Sequence, residues 1–254
     1  MEDKKAILRV ENASRLFGSL RAVDGLSFEV YEGEIFGIAG PNGSGKTTLM
    51  NIITQVIPPN SGHIFFHDKP IHKMPSHKIC HEGIGRTFQN PTVFESLSIL
   101  DNMIIGSTFG KNHNRLQSNM DKIKEVLDFV NLDKPLDRIA GKLLVNDKKK
   151  LMMAIALIAE PSLLILDEPC AGLNISEAKE SIELIRKIGE KGITVMLIEH
   201  NMQVLMNISD RVMIMDAGKK LCMGPPSHVC TNELVIEKYL GKRTAKGVKD
   251  IAES

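Results

Sequence analysis

Short apolar runs broken by polar residues fill the first part of the chain: Ile7-Leu8-Arg9-Val10, Leu26-Ser27-Phe28-Glu29-Val30 and Ile35-Phe36-Gly37-Ile38-Ala39. The first two alternate, which predicts antiparallel strands with one wet face; the third predicts a buried strand. Met120, Ile123, Leu127 and Val130 recur at helical spacing. Leu163-Leu164-Ile165-Leu166 and Ile193-Thr194-Val195-Met196-Leu197-Ile198 are nearly unbroken apolar runs, as expected of interior parallel strands. Between them, Ser176 to Lys191 predicts a crossover helix stopped by Gly192. The order is strand, Gly-rich turn, helix, a mostly helical stretch over about 96–150, then strand–helix–strand. It predicts an α/β core with a helical insert. The polar residues 242–254 predict a frayed tail.

Composition narrows the function. Of 254 residues, 43% are hydrophobic and 25% charged, which is enough apolar material for a sizeable core. Lys plus Arg number 32 against 31 Asp plus Glu, a net charge of +1, so a nucleic-acid partner is disfavoured. The longest apolar run, Leu151 to Ala159, is too short to span a bilayer. The charged N-terminus lacks an apolar signal region, and the four cysteines (Cys80, Cys170, Cys222, Cys230) are scattered, which predicts a cytosolic chain with reduced thiols.

The strongest chemical signal is Gly40-Pro41-Asn42-Gly43-Ser44-Gly45-Lys46-Thr47, directly after the predicted buried strand. Glycines let backbone N–H groups wrap phosphate at a helix N-terminus. Lys46 would reach the β- and γ-phosphates, and the Thr47 hydroxyl would bind Mg²⁺. A second buried strand ends in Asp167-Glu168, which would lie at the carboxyl edge of a sheet. Asp167 would orient Mg²⁺ and Glu168 polarise the attacking water. The bland alternative is an acidic pair that merely closes a strand. His200 follows Ile198-Glu199 at another strand end, where an imidazole can contact the γ-phosphate or simply face solvent.

Together these residues resemble the nucleotide-binding subunits of ABC transporters over nearly the whole chain. The resemblance implies an α/β fold: a P-loop NTPase core with a parallel sheet, an N-terminal antiparallel β-subdomain and a helical subdomain at about 96–150, one domain over 1–241. It implies that Phe17, with Val23, packs on adenine, and that Gly40 to Thr48 form the Walker A loop. Gln89, in Arg86-Thr87-Phe88-Gln89-Asn90-Pro91, would contact Mg²⁺ and report to the membrane subunits. Asp167 and Glu168 are Walker B, Ala171 to Asn174 the D-loop, and His200 the switch histidine. Phe88 to Glu95, Ala171 to Asn174, Ile198 to His200 and Ile236 to Gly241 look most like the importers of branched-chain amino acids, with the urea and amide importers close by. The implied protein is an ATPase using ATP and Mg²⁺, peripheral on the cytoplasmic face of the membrane and bound to permease subunits and a second ATPase subunit. Two alternatives remain: a weakly hydrolysing regulatory half, and an ATPase of lipid or lipopolysaccharide export.

The sequence departs from that family at its signature motif. Leu143-Leu144-Val145-Asn146-Asp147 stands where Leu-Ser-Gly-Gly-Gln is expected. Leu144 has no hydroxyl, Val145 and Asn146 carry a Cβ where close approach is wanted, and Asp147 brings negative charge toward phosphate. Asn146 or Asp147 would cap a helix over 148–159, and Lys148, Lys149 or Lys150 could replace the lost donors. A damaged signature favours a heterodimer over a homodimer, because an intact partner could complete this chain's own site. Gln55 stands where the family usually has glycine. His63, His67, His72, His77 and His81, beside Cys80, read as a wet β-subdomain surface, with a metal site as the alternative.

Overall fold

The computed structural model describes residues 5–108 and 120–240. In chain order the strands and helices are β1 (Ala6–Phe17), β2 (Leu20–Tyr31), β3 (Ile35–Ala39), α1 (Lys46–Ile53), β4 (Ser61–Phe66), β5 (Lys69–Pro70), α2 (Ser76–Glu82), β6 (Ile84–Arg86), α3 (Ile99–Thr108) and α4 (Met120–Phe129). They continue as α5 (Val145–Ile158), β7 (Leu163–Asp167), α6 (Ile175–Glu190), β8 (Thr194–Ile198), α7 (Met202–Ile208), β9 (Arg211–Asp216), β10 (Lys219–Gly224), α8 (Pro226–Thr231) and α9 (Glu233–Val235). The described residues fall into two compact units, one up to Ser76 together with the chain from Arg186 onward, the other His77–Ile185. The expected tail, 242–254, and part of the expected helical stretch lie outside the described residues.

In the first unit, β1 pairs antiparallel with β2 and with β4, in the register Val10↔Phe28 and Val10↔Ile64. Val23, Leu26, Phe28 and Val30 put one face of β2 into the core. Phe28 stacks on Phe36 of β3 with ring centroids 5.6 Å apart. β3 lies between β8 and β9, parallel to both, and β10 closes on β9 antiparallel. Every residue of β3 and β8 is buried, which is why both read as continuous apolar runs. Adjacent parallel strands with both faces covered make this the α/β core predicted from the sequence.

In the second unit, β6 pairs parallel with β7, Gly85 opposite Leu164. The expected helical stretch belongs here, so this unit is not purely helical. Ile123 and Leu127 of α4 are buried as the spacing predicts, whereas Met120 is exposed at the helix start. Asn102, fully buried in α3, holds the preceding loop: its side chain accepts from the Phe94 N–H and donates to the Phe94 and Ser98 carbonyls. No helix of the described residues is long and apolar enough to cross a membrane.

Candidate nucleotide site

The phosphate loop is built by β3 and α1 of the first unit. β3 ends at Ala39, and α1 begins at Lys46 with Gly45 as its N-cap. Gly45 has φ 101° and no side chain caps the helix, so the first N–H groups of α1 are left for an anion. A Cβ on Gly45 would stand 2.1 Å from the Ala22 carbonyl oxygen, and one on Gly40 (φ 150°) 2.2 Å from that of Met215. Only glycine lets the loop press so closely on its neighbours. Gly45→Ala is therefore expected to lower the melting temperature and weaken ATP binding at least about 10-fold, since a clash with backbone costs on the order of 1–3 kcal/mol. Thermal unfolding and an ATP titration would check this.

Within the loop, Lys46 is buried and its Nζ donates to the carbonyls of Gly40, at 2.8 Å, and Pro41, at 3.0 Å. The buried Ser44 hydroxyl has no hydrogen-bond partner among the described residues. Pro41, Asn42, Gly43 and the Thr47 hydroxyl-bearing residue are exposed, and Thr48 is half-buried. A cradle that excludes Cβ, an unmatched hydroxyl and a lysine at the mouth fit the phosphates of ATP. Thr47, Gln89 and Asp167 each carry an oxygen of a kind that Mg²⁺ takes. When bound, Mg²⁺ neutralises charge on the β- and γ-phosphates.

Phe17 ends β1 with 43% of its surface exposed and the Arg15 guanidinium 5.0 Å from its ring centroid. Val23 is fully buried in β2, because it sits on the strand face that enters the core. His200 is exposed, two residues beyond β8.

The second unit brings together two of the expected groups. β7 is buried throughout and delivers Asp167, itself buried, and then Glu168. Glu168 has φ 49°, the left-handed region that a side chain disfavours. Its Oε2 accepts a hydrogen bond from the Gln89 side-chain amide at 2.7 Å. Asp167 pairs with Arg86 at 3.5 Å, and the Arg86 guanidinium also covers the Phe88 ring at 4.8 Å. Burial pulls the Arg86 pKa down and the Asp167 carboxylate offsets part of that. The role of Arg86 went unread in the sequence, although it stands three residues before Gln89. At the start of α6, Asn174 and Glu177 cap each other: the Asn174 N–H donates to the Glu177 carboxylate, and the Glu177 N–H to the Asn174 side chain.

The divergent signature opens α5. The helix starts at Val145, with Leu144 as an extended N-cap whose side chain accepts no bond. Asn146 and Asp147 are thus inside the first turn, which corrects the expectation that either caps a helix beginning at 148. Asp147 is still well placed for the helix dipole and pairs with Lys134 at 3.4 Å. Leu144 and Val145 are 76% and 57% exposed. The three lysines that follow are engaged within the chain. Lys148 pairs with Glu95, Lys150 with Glu180, and buried Lys149 donates to the carbonyls of Glu168, Pro169 and Ala171.

Gln55 has φ 54°, so its position is one that favours glycine, and its side-chain amide donates to the Ile52 carbonyl at 2.6 Å. His63 and His72 meet edge to face at 4.8 Å, but among the described residues no group of three or more His, Cys, Asp or Glu could hold a metal ion.

Comparison with known proteins agrees with the resemblance. Residues 23–171 match the ABC transporter family. The chain is 34% identical over 252 residues to the high-affinity branched-chain amino acid transport ATP-binding protein BraF of Pseudomonas aeruginosa, covering 94% of this chain and 99% of that protein. It is likewise 34% identical over 250 residues to LivG of Escherichia coli K12, covering 93% and 98%. Among solved structures, a nucleotide-free ATP-binding cassette from an ABC transporter superposes with a TM-score of 0.82 at 32% identity, covering 94% of this chain and 100% of that one. A second cassette, in its ADP conformation, gives 0.78 at 30% identity, covering 97% and 95%.

Proposed function

Because the chain belongs to the ABC transporter ATP-binding subunits, we propose that it powers import of branched-chain amino acids, docked on membrane permease subunits at the cytoplasmic face. As a member of that family it is an ATPase that uses ATP and Mg²⁺. The importer reading rests on near full-length similarity to proteins named for branched-chain amino acid transport.

The geometry of each unit supports the following chemical roles. The N–H groups of residues 43–47 and the Lys46 ammonium bind the phosphates, and Phe17 stacks on adenine. Glu168 polarises the water that attacks the γ-phosphorus and takes up its proton as the bond to ADP breaks. Gln89 holds the Glu168 carboxylate in place through the 2.7 Å hydrogen bond, the observation that carries this assignment. His200, exposed past β8, contacts the γ-phosphate.

The exposed Leu144 and Val145 favour an asymmetric heterodimer. A surface presenting two aliphatic side chains has no hydroxyl or close backbone to offer the γ-phosphate of a facing subunit. In a homodimer both sites would carry that defect, and loss of one preorganised donor at a transferring group costs about 10²–10³ in rate. A partner ATPase with an intact signature would complete the site on this chain, and the other site would be slow. ATP turnover should therefore be at least about 10²-fold lower for the isolated chain than for the chain purified with its neighbouring ATPase subunit. Equal turnover would show that Leu143 to Asp147 works as it stands. Uptake of leucine, isoleucine and valine, lost on deletion and restored by the wild-type chain, would test the substrate; restored urea uptake instead would move the assignment to the amide importers.

A further inference from the structure

We infer that Lys149 is a positioning residue for ATP hydrolysis: its ammonium fixes the backbone turn that aims the Glu168 carboxylate. The inference rests on the reading of Glu168 as the group that polarises water. Lys149 sits in the second turn of α5, between two lysines that reach carboxylates at the surface. It alone of the three is buried, with 8% of its surface exposed. Its Nζ lies 3.4 Å from the carbonyl oxygen of Glu168, 3.0 Å from that of Pro169 and 2.6 Å from that of Ala171. Three acceptors match the three N–H donors of an ammonium.

All three carbonyls belong to one turn. The Ala171 N–H donates to the Glu168 carbonyl at 3.1 Å, closing it. Glu168 enters that turn at φ 49°, a conformation that persists for a side-chain-bearing residue only when its surroundings hold it there. Backbone φ sets the direction of the Cα–Cβ bond, and with it the place of the carboxylate beside Gln89. A relaxed φ would swing that carboxylate away. A lysine gripping the carbonyl on Glu168 itself and two more downstream supplies the missing constraint.

The test uses the full chain in its transporter complex, with Lys149→Met, which keeps the aliphatic stem and removes the donors. Displacement of a reacting group by about 1 Å can cost 10²-fold in rate. Single-turnover hydrolysis should fall about 10- to 100-fold while ATP affinity stays within about two-fold of wild type. Lys149→Gln, which returns two N–H donors, should recover part of the rate. In a Glu168→Gln background, Lys149→Met should change the residual rate little, because the group it positions is gone. Wild-type hydrolysis by Lys149→Met would overturn the inference, as would a loss of ATP affinity matching the loss of rate in both variants, which would mark Lys149 as a residue of the fold only. Glu168→Gln measured in parallel separates the two readings. If that variant hydrolyses ATP normally, the role of Glu168 falls; if it is inactive while Lys149→Met is normal, only the role of Lys149 falls.

Discussion

ATP is expected to bind normally to Glu168→Gln and not be cleaved. The substitution keeps length and shape, and the new amide oxygen can still accept the Gln89 hydrogen bond that Glu168 accepts at 2.7 Å. What disappears is the carboxylate charge proposed to draw a proton from water. General-base groups contribute roughly 10²–10⁴-fold, so single-turnover hydrolysis should fall by that factor. A nucleotide titration should show affinity within a few-fold of wild type, because the proposed phosphate contacts, Lys46 and the loop N–H groups, are left in place. An unchanged rate of cleavage would mean that another group handles the water. The Gln89–Glu168 bond would then be no more than a surface contact.

Lys46→Ala should act at the opposite stage, before any chemistry. Lys46 is buried, and its ammonium already bridges the Gly40 and Pro41 carbonyls across the mouth of the loop. On the proposed reading, removing it deletes the main cationic contact to phosphate and, with the two carbonyl bonds gone, loosens the cradle. Hydrogen bonds to charged groups are worth about 1.5–3 kcal/mol each, so ATP affinity should drop on the order of 10–150-fold. The effect can be read as stability. At an ATP concentration of about 100 Kd, the wild type gains about 2.7 kcal/mol on binding; after a 100-fold loss of affinity the same concentration gives only about 0.4 kcal/mol. A thermal shift that survives the substitution would show that nucleotide is held elsewhere.

The two variants are expected to act at different stages because the proposed roles fall on differently built segments, and those segments were not equally readable. The phosphate loop could be recognised in the sequence because its donors are backbone N–H groups of consecutive residues, so spacing alone carries the geometry. Buried strands β3, β7 and β8 were legible for a related reason: covered on both faces, they must be apolar at every position. Short or mixed strands left no such trace. β6 is three residues ending in an arginine, and β10 begins with two exposed lysines. Their place is set by the strands they pair with.

At the signature the loss of a donor is legible without coordinates, since a leucine cannot donate a hydroxyl bond in any fold. The sequence did not determine where α5 begins. The helix starts at Val145 without a side-chain cap, and the polar residues expected to cap it fall inside the first turn. Nor could it separate Lys148, Lys149 and Lys150, chemically identical and adjacent. About 100° of helical rotation per residue sends the outer two to Glu95 and Glu180 and turns the middle one inward, onto carbonyls some twenty residues further along the chain. Chemistry carried by neighbouring residues is written in their order. Chemistry carried by side chains that meet only after packing, such as Lys149 with the Glu168 turn and Arg86 with Asp167, is decided by the tertiary fold, because burial and rotation choose which atoms meet.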